Sequence, residues 1–376
     1  MRSAADAAAM ATGALRQSTR PCLLTTALIV LAVTMMLGLA GASAVEGLLA
    51  WDVRFAYVPA AEALLEGRSP YPALDDPILD DQKGYVYPPQ LLIAVLPLTF
   101  LPVDVVAVTM ALGMLALLGL TLYVLGTRDA RCYAITLLSL PAASGVLFAN
   151  LSIPLALVLA LVWRYRTRVW PPAVALGLAV SAKLLLWPVF VWTLAKRQYR
   201  TTVLALAIGA VTTFAAWAAI GFAGLTGYPA LLRRLSEIQA ANSYSFVGMS
   251  AELGLGVTVG RVVTLVVGGA LLAWCAVLAR GGDDERSFTC AVAATLALSP
   301  IVWLHYLVLL VVPLAIMRPR FSAVWLIPLL LWASPEPGHA NGVQTFFPGL
   351  AAVLLVVVLL TRPPATRSVT SAEAPA

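Results

Sequence analysis

From Cys22 to Val45 the chain runs for 24 residues without a charged side chain. A helix needs about 20 apolar residues to cross a hydrocarbon core of about 30 Å. Runs of this kind recur along the sequence, the last covering 345–361. Lipid offers the backbone no hydrogen-bond partner, so such runs must satisfy themselves as helices or as a closed barrel. They are continuous instead of alternating, which selects helices. Composition agrees: 61% of the 376 residues are hydrophobic and 11% charged, against roughly a quarter charged in a soluble domain. Mean hydropathy is +0.91. The chain reads as an all-α polytopic membrane protein.

Boundaries set by charge, proline and glycine give about twelve spans: 22–45, 103–126, 131–149, 152–163, 171–182, 184–195, 201–222, 256–279, 287–302, 304–317, 321–333 and 345–361. They form one transmembrane domain over 22–361, with tails 1–21 and 362–376 and polar outer loops 46–102 and 223–255. Ala42-Ser43-Ala44 resembles a signal-peptidase site, but the run before it exceeds a signal core of about 7–15 residues, so an uncleaved first span is expected. Stretch 88–101 is short and Pro-rich, and is expected to be interfacial or re-entrant.

The net charge of +6 does not point to nucleic acid here, because the basic residues sit between apolar runs and orient the chain. Seventeen of the 24 fall on the side of the N-terminus, among them Arg128, Arg131, Arg164, Arg166, Arg168, Lys196, Arg197, Arg200, Arg280, Arg286, Arg318 and Arg320. Both termini are therefore expected in the cytoplasm. The four cysteines show no CxxC spacing and read as small apolar packing. No metal or cofactor motif is present, so neither is expected.

Several spans are too short for a bilayer. They fit helices that stop at the floor of a water-filled cavity, since their outer tips carry Asn150 with Ser152, Lys183 and His305. Asp52 opens the first outer loop, in Trp51-Asp52-Val53-Arg54-Phe55. An ionised group at that depth suggests function, while a helix N-cap is the plain alternative. Arg54 is either a functional cation or an interfacial anchor. Residues 53–66 place Val53, Ala56, Tyr57, Ala60 and Leu64 on one face, as in an amphipathic helix on the membrane. Asp75, Asp76, Asp80 and Asp81 read as a solvated loop. Tyr85 and Tyr87, before two prolines, face a sugar or belong to an interfacial belt. Lys183, in an apolar run with Pro188 after it, either snorkels or binds an anion in the cavity. His305, after Ser299-Pro300-Ile301-Val302-Trp303-Leu304, is a proton carrier or a packing histidine. Arg261, near the outer end of its span, snorkels or meets phosphate. His339 reads as surface.

One span, then WDVRFAYVPAAEALLEGRSPY, YVYPPQLLIAVLPLTFLP, AKLLLWPVFVWTLAKRQYR, NSYSFVGMSAEL and LSPIVWLHYLVLLVVPL, in that order, resemble the membrane glycosyltransferases of family 87. That resemblance spans roughly 22–361 and implies the GT-C fold. It implies a polyprenyl-phosphate sugar donor, commonly mannose, and a glycolipid or lipid-linked glycan acceptor. It places the site on the outer face of a bacterial plasma membrane, among membrane lipids. Asp52, His305 and Lys183 match family positions, and Asp52 would be the general base of an inverting transfer. Tyr306 stands where relatives often carry a second histidine. Lys183, and Arg261 with it, would stabilise the leaving phosphate. Arg54, Tyr87, Asn150, Trp303, Asn242 and Tyr244 are candidate substrate contacts. An arabinosyl or other pentosyl transferase, a lipid or small-molecule transporter, and a non-catalytic scaffold are the alternatives. The transporter calls for paired broken helices in two halves, and only the break at Lys183 is evident.

Overall fold

A computed structural model describes residues 23–239, 243–333 and 342–361. Every regular element among them is helical. The helices are α1 (Leu23–Val45), α2 (Val58–Leu65), α3 (Pro89–Val95), α4 (Val103–Val124), α5 (Ala130–Leu138), α6 (Leu140–Phe148), α7 (Ser152–Arg164) and α8 (Trp170–Ala182). They continue with α9 (Pro188–Ala195), α10 (Tyr199–Ala219), α11 (Tyr228–Gln239), α12 (Phe246–Glu252), α13 (Gly256–Arg280), α14 (Asp284–Ala297), α15 (Val311–Met317) and α16 (Gly342–Thr361). Tight 3₁₀ turns cover Leu184–Leu186, Leu304–Leu310 and Ala323–Ala333.

Most expected boundaries hold within about three residues, though the span expected over 287–302 is the helix Asp284–Ala297, and length separates the elements into two kinds. Among the described residues α1, α4, α10 and α13 are long and apolar enough to cross a membrane, and α5 with α6 makes a fifth if that bent pair is one span. Most of the others are short, so twelve full spans are not evident among the described residues. The run expected as one span over 131–149 bends by 69° between α5 and α6. Ser139 is extended at the break, and Pro141 lies in the first turn of α6, where proline is tolerated because that turn needs no N–H.

The short elements form the centre. Trp163, Trp192 and Phe288 pack ring on ring, and Val308 to Val312 are buried throughout. The long helices lie outside and expose Leu37, Leu112, Val211, Phe214, Leu265 and Val266, the apolar surface a bilayer would cover. α8 meets α10 at Gly177, where a Cβ would stand 2.6 Å from the Ala205 carbonyl oxygen. Small residues let backbones approach in this way within membranes.

Polar side chains gather at two opposite ends. At one end Asp284 pairs with Lys196 and Arg166, Gln198 donates to the Arg166 carbonyl, and Asp129 accepts from the Phe321 N–H. The inter-helix loops rich in arginine meet here. The other end collects Asp52, Asn150, Lys183, His305 and the loops around them. Cys132, Cys275 and Cys290 are buried and free, as small packing residues; Cys22 lies outside the described residues.

Candidate active site

Asp52 follows α1 after a turn in which Ala50 adopts the left-handed conformation (φ 57°). The Ala50 N–H donates to the Leu147 carbonyl, 2.7 Å away, which pins the start of the first outer loop to the end of α6. A second left-handed alanine, Ala149 (φ 51°), ends α6 and turns the chain into Asn150. Non-glycine residues in this region carry about 1–2 kcal/mol of strain, and here one precedes each of two polar site residues.

Asp52 does not cap the π-helical turn Val53–Tyr57 that follows it: it is in the right-handed region and makes no side-chain cap bond. Instead its Oδ2 accepts from Tyr57 Oη at 3.1 Å and from Asn150 Nδ2 at 3.3 Å. Oδ1 carries no hydrogen bond among the described residues. Asn150 Oδ1 accepts the Ser152 N–H at 2.6 Å, which fixes the orientation of the amide. Its Nδ2 therefore donates both ways, to Asp52 and to His305 Nε2 at 2.6 Å. That bond makes Nε2 the acceptor, so the imidazole is neutral with its proton on Nδ1.

Lys183 is extended (φ −155°, ψ 117°) between α8 and the turn Leu184–Leu186, the broken helix that its polar charge and Pro188 predict. Its ammonium donates to Tyr306 Oη at 2.5 Å and lies over the rings of Tyr306 and Tyr87, 3.9 and 5.2 Å from their centroids. It makes no ion pair among the described residues. Burial pushes the Asp52 carboxyl up to about 6, against the lowering pull of Lys183, Tyr57 and Asn150.

A cavity of about 100 Å³ opens here. Asp52, Tyr87, Asn150, Tyr244, Trp303 and His305 line it, with Trp51, Leu79, Gln82, Val86, Phe148 and Gln239. The wall 79–87 is a tyrosine scaffold. Tyr85 Oη donates to the Pro88 carbonyl at 2.7 Å, Tyr71 Oη to that of Tyr87 at 3.2 Å, and Tyr228 Oη to that of Val86 at 2.9 Å. Tyr71 stacks on Trp217 and packs so near Gly224 (φ 80°) that a Cβ there would meet its ring at 2.6 Å. Beside the Lys183 break, an apolar groove opens on the flank between Leu184, Phe190, Leu206, Phe214 and Trp217.

Six of the expected residues thus share one cavity, with Lys183 behind its Tyr87 wall. Two do not. Arg54 turns to Asp104 at the start of α4, 2.5 Å away. Arg261 is exposed on α13, because its register on that helix points it away from the bundle. Asn242 and His339 lie outside the described residues. The stretch 53–66 buries Val53, Ala56, Tyr57 and Ala60 as expected, but Val58, Ala61 and Ala63 are buried as well, so it is wedged between neighbours on more than one face. Asp76 caps the short turn Pro77–Leu79, as a loop acid does. Tyr57 and Tyr306 were not among the sequence candidates. Their signal was spacing, five residues after Asp52 and one after His305.

A model of glycosyltransferase family 87 matches residues 85–302. The match holds Asn150, Lys183 and Tyr244, while Asp52 and His305 lie to either side of it. The chain is 28% identical over 307 residues, 75% of its own length and 68% of the relative's, to a polyprenol-phosphate-mannose-dependent alpha-(1-2)-phosphatidylinositol pentamannoside mannosyltransferase of Mycolicibacterium smegmatis. No solved structure matches. A multi-pass arrangement of apolar helices and a family match over more than half the sequence lead to one assignment: the chain belongs to glycosyltransferase family 87 and is a membrane glycosyltransferase.

Proposed function

We propose that the protein transfers mannose, with inversion, from a polyprenyl-phosphate donor to a hydroxyl of a glycolipid or lipid-linked glycan, on the outer face of a bacterial plasma membrane. The fold is of the GT-C type, and Asp52 is the general base. The observation that carries this is the division of labour at Asp52: Oδ2 is held by Tyr57 and Asn150, and Oδ1 is left for a substrate.

The acceptor oxygen attacks the anomeric carbon from the face opposite the phosphate. As the new C–O bond forms, the bond to the phosphate oxygen breaks, its electron pair leaves on the polyprenyl phosphate, and the hydroxyl proton passes to Asp52 Oδ1. A positioned base contributes about 10²–10⁴-fold. Lys183 is a half-buried cation whose partners are a phenol and two ring faces; a leaving phosphate would supply the missing counter-charge. The apolar groove beside Leu184 suits a lipid tail whose phosphate must reach that lysine. Neutral His305 orients Asn150, and through it Asp52. The name of the mycolicibacterial relative supports mannose and the polyprenyl phosphate.

The test is to incubate purified protein with labelled polyprenyl-phosphate mannose and an envelope lipid extract. Labelled glycolipid is expected. No transfer from this donor, with transfer from a nucleotide sugar in its place, would refute the reading.

A further inference from the structure

We infer that Gln239 is a specificity-determining residue whose side-chain oxygen accepts a hydrogen bond from a hydroxyl of the acceptor sugar. The inference rests on the donor and acceptor reading above. Gln239 ends α11 and lines the cavity, yet only 1% of it is exposed. Its Nε2 donates to the carbonyl oxygens of Leu79 and Asp80, at 3.0 and 3.3 Å. A carbonyl can only accept, so these two bonds fix which end of the amide is nitrogen. The remaining atom, Oε1, is buried and has no hydrogen-bond partner. Leaving a buried acceptor unsatisfied is unfavourable, and a side chain held by its other end cannot turn to relieve it. A hydroxyl in the cavity would complete it.

The position selects the acceptor over the donor. Along the wall 79–87, Tyr87 is the end that meets Lys183, where the donor phosphate belongs. Leu79 and Asp80, which Gln239 grips, are the opposite end. A sugar reaching that end while its neighbour lies at Asp52 belongs to the incoming chain. A site built to bond a hydroxyl also rejects an analogue that lacks it, because its own polar group is then left unpaired.

The experiment compares octyl α-mannoside with its monodeoxy analogues as acceptors, using polyprenyl-phosphate mannose, in the wild type and in Gln239→Met and Gln239→Glu. Each enzyme is scored by the ratio of kcat/KM for parent over analogue, which is independent of the folded fraction. For one hydroxyl other than the attacked one, the wild-type ratio should be roughly tenfold. It should fall to about one in Gln239→Met and also in Gln239→Glu, whose carboxylate cannot donate to the Leu79 and Asp80 carbonyls and so loses the grip that fixes the accepting oxygen. Ratios unchanged in Gln239→Met would overturn the inference and leave the amide a structural clamp. So would a wild type that glycosylates envelope glycolipid but not octyl mannoside. Transfer to neither would instead sink the donor and acceptor reading.

Discussion

Asp52 and His305 share a single amide nitrogen, Nδ2 of Asn150, at 3.3 and 2.6 Å. An aspartate from the first outer loop and a histidine from the turn Leu304–Leu310 are thereby held by one side chain at the tip of α6. Asn150→Ala should release both. A buried hydrogen bond to a charged group is worth about 1.5–3 kcal/mol, so kcat is expected to fall by roughly 10–100-fold, with little change in donor KM. An equal rise in donor KM would mean that Asn150 binds sugar instead of orienting the base.

The base must be ionised to take a proton, and burial has raised its pKa to about 6. Activity should therefore fall about tenfold per unit as pH drops below that value and level off above it. Tyr57 donates to the carboxylate and lowers its pKa, so Tyr57→Phe should move the acid limb to higher pH. A pH–rate profile of both enzymes checks this; a limb that stays in place would exclude Asp52 as the titrating group.

Lys183→Met removes the cation beside the cavity and should raise donor KM and lower kcat together, because charge on the phosphate grows as the bond breaks. Tyr306→Phe keeps the ring under the ammonium and removes only the hydroxyl, so its effect should be within about tenfold. Steady-state kinetics with varied donor separates the two. A Lys183→Met enzyme with unchanged donor KM would deny contact with the phosphate.

How much of this the sequence disclosed depends on whether polarity interrupts an apolar run. Asn150, Lys183 and His305 stand out because lipid-facing helices tolerate no such groups, and all three meet at one end of the bundle. Arg54 and Arg261 stand out for the same reason, yet one is turned to Asp104 and the other outward; a charge reveals depth but not the azimuth on its helix. Tyr57 hid within an apolar face, and Gln239 within the polar outer loop 223–255. The 69° bend between α5 and α6 was obscured because no charged residue interrupts the run from Cys132 to Phe148.

The two polar ends also make a claim about sidedness. With the arginine-rich end in the cytoplasm, a cysteine at Ala73 should react with an impermeant thiol reagent in intact cells, and one at Thr167 should not. Labelling at Thr167 alone would invert the orientation.

The central claim is that Asp52 is the base, and Asp52→Asn tests it most directly. Asparagine has nearly the same shape, and Asp52 makes no cap bond for the swap to break, so the thermal unfolding curve should not move. Turnover of labelled donor into glycolipid should fall by about 10²–10⁴-fold. An Asp52→Asn enzyme that keeps more than about a tenth of wild-type turnover would contradict the account.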